Sequence, residues 1–226
     1  MQNLELSGWE KVFHDYIGSN TSQEDSAHDL GHFIRVWKAA DYINREEGLP
    51  ADALILLASA YFHDLVSLPK NHPERNQSSR LSAERTALLL REHFTGFPPE
   101  KVAGVYHAIH AHSFSARVAV STAEAKILQD ADRLEAIGAI GLARTFYIGG
   151  KLNQQIFDPE DPLATRREPD DRLYSLDHFP VKLLKLPALM NTATGRRLAE
   201  ARAGYLRGFL RQIGMEIGGE YGANDQ

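Results

Sequence analysis

The most constraining stretch of this sequence is the apolar run Ala53–Leu65, ALILLASAYFHDL, which ends with the adjacent residues His63 and Asp64. A run of this length and composition predicts a buried helix. Burying a polar group without a partner costs about 1–3 kcal/mol, and burying a charge costs more. The sequence therefore predicts that something binds His63 and Asp64 at the end of this helix.

Apolar residues elsewhere recur at steps of three and four, the period of an amphipathic helix. No alternation of period two persists for more than a few residues, so we predict an all-α fold. The predicted helices are AHDLGHFIRVWKAADYINREEG ending on Gly48, a helix opened by Pro50, SSRLSAERTALLLREHF, PPEKVAGVYHAIHAHSF, and one continuous helix from STAEAK to FYIGG with a serine or threonine cap.

Two polar segments interrupt this helical pattern. Residues 66–77, VSLPKNHPERNQ, contain two prolines and predict a surface loop directly after the His63–Asp64 pair. Residues 157–172, FDPEDPLATRREPDDR, are rich in proline and charge. We therefore predict a main helical domain over residues 1–156. Residues 157–226 are predicted to form a loop and a C-terminal helical section that packs on the same domain.

The amino-acid composition limits the kinds of partner and the residue types that could bind a metal ion. The net charge is −5 and no segment forms a basic stripe, which argues against a nucleic acid polymer as the main partner. The chain has no cysteine, so a metal ion would be bound by His, Asp and Glu. No signal-peptide pattern and no run of about 18 apolar residues occurs, from which we expect a cytoplasmic protein without a membrane partner.

Most of the ten histidines lie in four short segments. A lone histidine on an apolar helix is usually a packed core residue. Here His32 lies on one predicted helix, His63 and Asp64 end the next, and an acid in ADRL lies on a later one. Imidazole nitrogens and carboxylate oxygens form a ligand set for divalent metals, and three helices could assemble it in the core of a bundle.

In order, His32 in HFIRV, His63–Asp64 in FHDL and Asp132 in ADRL resemble the H…HD…D signature of the HD-domain superfamily of metal-dependent phosphohydrolases. The segments SAHDLGHFIRVWKAA, HAIHAHSFSA and AKILQDADRLEAIGAIGLAR look like small bacterial members whose relatives act on nucleotides. The resemblance implies an HD-domain helical bundle over residues 1–156, with a metal site in its core and a C-terminal helical extension. It also implies that His32, His63, Asp64 and Asp132 bind one divalent ion, which could be Mn, Mg, Co, Ni, Fe or Zn.

Asp130 is the rival of Asp132 for the last ligand position. Residues two apart on a helix point about 200° apart, so the two acids cannot share one position. Periodicity does not choose between them, because this helix is apolar around much of its circumference. The family pattern places the ligand in AD-x-L, which implies Asp132.

Further site residues are predicted around the ligands. The resemblance implies a catalytic role for Asp64. Their positions after the His63–Asp64 pair suggest catalytic roles for Lys70, as a cation that takes phosphate charge, and for Glu84, as a general acid or base. The alternative is that Lys70, Glu84 and the later cations Arg75 and Arg80 are solvated surface charges without a role in the site. Some HD nucleotidases carry a glutamate where this chain has Ser67, so their mechanism is not carried over. Substrate-binding roles are predicted for His28, Arg75, Arg80 and His112.

The predicted function is hydrolysis of a nucleotide or another small phosphate ester or anhydride. One alternative is an HD-type di-iron oxygenase, for which extra histidines would have to bridge a second metal. Another is a metal-binding regulatory module without turnover. The cations around residues 70–80 favour a phosphorylated small molecule as the partner.

Overall fold

A computed structural model describes residues 5–20, 29–48, 51–68, 72 and 74–219. Within these residues the only β contact is an isolated parallel bridge between Gln155 and Tyr174, which confirms the all-α prediction. The helices are α1 (Leu6–Asn20), α2 (Leu30–Glu47), α3 (Ala53–Phe62), α4 (Ser78–Glu92), α5 (Val102–His112), α6 (Ala123–Leu134), α7 (Gly138–Lys151), α8 (His178–Val181) and α9 (Ala193–Gly218).

The described chain divides into two compact units. The first lies within residues 1–132 and 191–194, and the second within residues 133–190 and 195–226. Aromatic rings fill the core of the first unit, where Phe13 is fully buried. Its ring centroid lies 5.0 Å from that of Phe62 and 5.2 Å from that of Phe94. This packing holds α1 against α3, the helix that leads to His63.

Helix α3 is the predicted buried helix, and residues 56–62 are all buried. Its N-cap is Asp52, whose Oδ1 accepts hydrogen bonds from the backbone N–H groups of Leu54 (2.9 Å) and Ile55 (3.1 Å). The Asp52 carboxylate also pairs with Lys101. The predicted helix start at Pro50 lies outside the described residues.

Helix α2 begins after Asp29, whose side chain accepts a hydrogen bond from the backbone N–H of His32 at 2.8 Å. It ends at Glu47 and is capped by Gly48, the helix end that the sequence predicts, because Gly48 adopts the left-handed conformation with φ of 59°. The Asp29 cap fixes the first turn of the helix, which carries His32.

The prediction of one continuous helix from STAEAK to FYIGG is wrong. Helix α6 ends at Leu134 and α7 begins at Gly138, which has φ of 76°. A residue at that φ cannot continue a right-handed helix, and glycine adopts it without steric cost. The predicted cap is confirmed, since the hydroxyl of Thr122 accepts a hydrogen bond from the N–H of Ala125 at 3.2 Å.

The second unit has its own aromatic contacts, with Phe146 and Phe209 both packed on Phe179. In its proline- and charge-rich segment, Arg167 forms a two-pronged ion pair with Asp177, which is buried. Among the helices that the structure describes, none has the length and apolar character needed to cross a membrane.

Candidate metal centre

Four elements of the first unit bring imidazole and carboxylate groups together. His32 lies in the first turn of α2, His63 follows α3, and Asp132 lies near the end of α6. The Nε2 atoms of His32 and His63 are 3.2 Å apart, and the Oδ1 atom of Asp132 is 3.7 Å from each. A second group shares His63 and adds Asp64 and His112, the last residue of α5.

Two of the histidines are oriented by the main chain at the end of their own helix. The Nδ1 atom of His63 lies 2.9 Å from the carbonyl oxygen of Ala60, and that of His112 lies 2.6 Å from the carbonyl oxygen of Ile109. Because a carbonyl oxygen only accepts hydrogen bonds, Nδ1 carries the proton in both rings. In the neutral imidazole Nε2 then has the free lone pair, which faces the cluster.

The donor set fits a divalent metal ion. Ligand atoms that bind one ion at about 2.0–2.2 Å lie roughly 3–3.6 Å from each other. The Nε2 and Oδ1 atoms of His32, His63 and Asp132 lie 3.2–3.7 Å apart. The Nε2 atom of His112 is 3.5 Å from Oδ1 of Asp64, and the Nε2 atom of His63 is 3.7 Å from Oδ2 of the same carboxylate.

The imidazoles are buried and the carboxylates are partly exposed. The side chains of His32 and His63 are at most 1% exposed, whereas those of Asp64 and Asp132 are 19% and 32% exposed. Burial lowers the pKa of His63, but the negative charges of Asp64 and Asp132 outweigh burial and raise the pKa to about 9. Burial likewise raises the pKa of Asp132, but the His63 imidazole beside it holds the pKa well below its usual range. The site thus concentrates negative charge that attracts a cation.

Asp130 points away from this cluster. It is fully buried, and its carboxylate accepts hydrogen bonds from the backbone N–H of Asn191 (2.9 Å), the backbone N–H of Thr192 (2.8 Å) and the Thr192 hydroxyl (2.8 Å). The side-chain amide of Asn191 adds another at 2.9 Å. Of the two rival acids, Asp132 therefore lies beside the histidines, and Asp130 fastens residues 191–192 to α6.

The predicted polar residues on α4 form a separate group. Arg80 donates a hydrogen bond to Glu84 at 2.5 Å and another to Gln77 at 2.9 Å. Burial first, and then the positive charge of Arg80, lower the pKa of His110 on α5. Arg75 donates to the carbonyl oxygen of Leu68 at 3.1 Å. Lys70 and His28 lie outside the described residues.

Serine side chains of α4 hold the segment that follows the His63–Asp64 pair. The Ser82 hydroxyl accepts from the N–H of Val66 at 3.0 Å and donates to the carbonyl oxygen of Val66 at 3.2 Å. The Ser78 hydroxyl accepts from the N–H of Leu68 at 3.3 Å. The predicted loop is thus tied to α4 at its start.

Sequence reasoning missed Gln129, which connects two helices of the site. Its side-chain amide donates to the carbonyl oxygens of Ala111 and His112, at 3.1 Å each. Gln129 therefore links the end of α5 to α6, which carries Asp132. Its position directly before Asp130 is the only signal in the sequence, and that signal does not identify its partners.

The comparisons with known proteins agree on one protein family. The HD domain family model matches residues 29–137. YpgQ of Bacillus subtilis is 33% identical over 208 residues, which cover 90% of this chain and 91% of YpgQ. The crystal structure of YpgQ in complex with ADP superposes with a TM-score of 0.70, covering 92% of this chain and 97% of that one at 33% identity. An HD-superfamily hydrolase of Bacillus thuringiensis superposes with a TM-score of 0.71, covering 94% and 98% of the two chains at 31% identity. This chain therefore belongs to the HD domain family and has the fold of the HD-superfamily hydrolases.

Proposed function

We propose that this protein is a metal-dependent phosphohydrolase that acts on a nucleotide or another small phosphate ester or anhydride. The observation that carries the proposal is the cluster of His32, His63 and Asp132 in a chain of the HD domain family. The ADP bound to its relative YpgQ supports a nucleotide as the substrate.

His32, His63, Asp64 and Asp132 would hold the ion, which when bound would lower the pKa of a water molecule and polarise a phosphoryl oxygen. The histidines act through Nε2, with Nδ1 of His63 fixed by the Ala60 carbonyl. Asp64 has one oxygen near His63 and the other near His112. In our proposal this carboxylate both binds the ion and orients the attacking water. His112 then contacts the substrate from the end of α5.

The negative charge of the phosphates requires cations from the protein. Arg75 is exposed and Arg80 is half-buried, and both lie at or near the start of α4, after the His63–Asp64 pair. We propose that they bind phosphate, together with Lys70. Glu84 is paired with Arg80, so a substrate phosphate that draws Arg80 away would free the Glu84 carboxylate for proton transfer.

The ligand group formed by His63, Asp64 and His112 is the observation that would favour the di-iron oxygenase. It shares His63 and Asp64 with the proposed phosphohydrolase ligands. Because only Nε2 of His63 has a free lone pair, the Asp64 carboxylate is the shared group that could bridge two ions. Metal content separates the two functions. About one equivalent of bound metal supports the hydrolase, and two equivalents of iron support the oxygenase.

The test is hydrolysis by the purified full chain after chelation and addition of Mn²⁺, Mg²⁺, Co²⁺ or Ni²⁺. The substrates are nucleoside mono-, di- and triphosphates, with phosphate and pyrophosphate measured separately. Asp64→Ala should abolish both metal binding and turnover. The control Asp15→Ala removes an exposed carboxylate of α1 and should leave both unchanged. A full metal equivalent in Asp64→Ala, or wild-type turnover that needs no metal, would overturn the proposal.

A further inference from the structure

Phe114 has an unusual environment for a phenylalanine of the first unit. It is 78% exposed, whereas every other phenylalanine of this unit is at most 7% exposed. Burying such a side chain is worth about 1.5–3 kcal/mol, which this position forgoes. Phe114 is also only two residues beyond His112, whose Nε2 atom lies 3.5 Å from the Asp64 carboxylate. The exposed ring is therefore next to the candidate metal centre in the chain.

The backbone that carries Phe114 is well held. Residues Phe114–Ala116 form a 3₁₀ turn, in which the N–H of Ala116 donates to the carbonyl oxygen of Ser113 at 3.2 Å. Gln129 anchors the residue before Ser113 through its hydrogen bond to the His112 carbonyl. The turn therefore presents the ring from a defined position.

The surroundings of the ring suit a nucleotide. Two residues span at most about 7 Å, so Phe114 lies close to His112. Its ring has no ligand atom and does not compete for the metal ion. The turn Phe114–Ala116 also contacts the turn Arg75–Gln77, whose exposed Arg75 is a candidate phosphate-binding cation. A nucleotide carries charged phosphates at one end and a flat aromatic base at the other, with the ribose between them. The metal ligands and the Arg75 guanidinium suit the phosphates, and the exposed ring of Phe114 suits the base.

We propose that Phe114 is the stacking platform for the base of a nucleotide substrate, an inference that rests on the proposed function. Stacking on an aromatic side chain recognises the π-face that every base has, so it favours nucleotides over base-free phosphates without selecting one base. Phe114 thereby determines the substrate class, while the metal ligands and the cations act on the phosphates.

The kinetic test compares nucleoside triphosphates with inorganic triphosphate, which has the same two phosphoanhydride bonds and neither ribose nor base. Phe114→Ala should raise KM for ATP, GTP and CTP at least about fivefold and leave kcat/KM for inorganic triphosphate unchanged. Phe114→Trp should retain nucleotide affinity. The control Tyr42→Ala removes another exposed aromatic side chain, ten residues beyond His32 on α2 and so about 15 Å away along the helix. It should leave KM and kcat/KM unchanged for both substrate classes. Equal effects of Phe114→Ala on both substrate classes, or no effect on either, would overturn the inference.

A binding measurement makes the test independent of turnover. Trp9 and Trp37 are each 5% exposed, so the indole introduced by Phe114→Trp would be the solvent-accessible fluorophore. ADP should quench its emission, and pyrophosphate at the same concentration should not. Absence of quenching by ADP would count against the platform. If the wild type hydrolyses neither nucleotides nor triphosphate with any metal, the proposed function fails, and the quenching result still decides the role of Phe114.

Discussion

The two aspartates of α6 allow a prediction with opposite outcomes for neighbouring residues. Asp132→Asn keeps the shape of the side chain but removes a charge beside two imidazoles. We expect it to weaken metal binding by more than about 100-fold, since it alters a proposed ligand rather than a group that supports one. Asp130→Asn should change metal affinity by less than about tenfold, because Asp130 contacts residues 191–192 and not the histidines.

Stability should respond in the reverse order. The Asp130 carboxylate accepts two backbone N–H groups, a hydroxyl and a side-chain amide. In Asp130→Asn, one carboxylate oxygen is replaced by an NH₂ group that faces donors instead of accepting from them. Losing about two charge-assisted hydrogen bonds at roughly 1.5 kcal/mol each lowers the free energy of unfolding by about 3 kcal/mol. For a chain of this size, that corresponds to a fall in Tm of about 6–12 °C.

Isothermal titration of the chelator-treated proteins with Mn²⁺ measures the affinities, and thermal unfolding in chelator measures stability without a contribution from the ion. Asp132, which is 32% exposed, should lose little stability when it is changed to Asn. If Asp130→Asn weakened metal binding more than Asp132→Asn, the ligand assignment would be wrong. If Asp130→Asn left Tm unchanged, the proposed fastening of residues 191–192 would be wrong.

Two further predictions concern the supports of the site. Burial raises the pKa of Asp52, but Lys101 and the N-cap hydrogen bonds outweigh burial, so the pKa lies below the usual 3.8. A lowered pKa stabilises the fold above the unfolded-state value, and this contribution is lost as pH falls through the folded-state value. Asp52→Asn should therefore be about 1 kcal/mol less stable at pH 7, and the difference in Tm from wild type should close as the pH falls below about 4. Ser82→Ala removes both hydrogen bonds to Val66 and should lower the free energy of unfolding in urea by about 1–2 kcal/mol. The control Ser79→Ala removes a buried hydroxyl without a hydrogen-bond partner and should lower it less. Equal losses would contradict the role of Ser82.

The sequence predicted those parts of the protein that depend on local patterns. Helical periodicity identified α2–α5, and Gly48 marked a helix end because its conformation depends on its own residue type. The break at Gly138 was missed because the apolar pattern continues across it. The contact of Asp130 with Asn191 was also missed, since it joins residues 61 positions apart through main-chain donors that have no sequence signature.

In the candidate site, too, local sequence patterns were informative and contacts between distant residues were not predicted. The order of histidines and acids, together with the family resemblance, indicated the proposed ligands, whereas the helix period alone left Asp130 and Asp132 as equals. Three-dimensional packing separates them, because only Asp132 lies beside His32 and His63. The exposure of Phe114 could not be predicted either, because its residue type favours burial.

The main-chain hydrogen bonds that orient His63 and His112 determine which mutations the site tolerates. Each ring is fixed by a carbonyl group three residues earlier, so the side chains at Ala60 and Ile109 contribute nothing to the orientation and can vary as far as core packing allows. Damage to the helix backbone has the opposite effect. Ser113→Pro, directly after His112, would disfavour the helical conformation of His112 and move its ring, although every histidine and acid of the site would still be present in the sequence. Among descendants of this chain, loss of function at these positions should therefore arise from backbone-breaking substitutions more often than from conservative changes in the buried side chains.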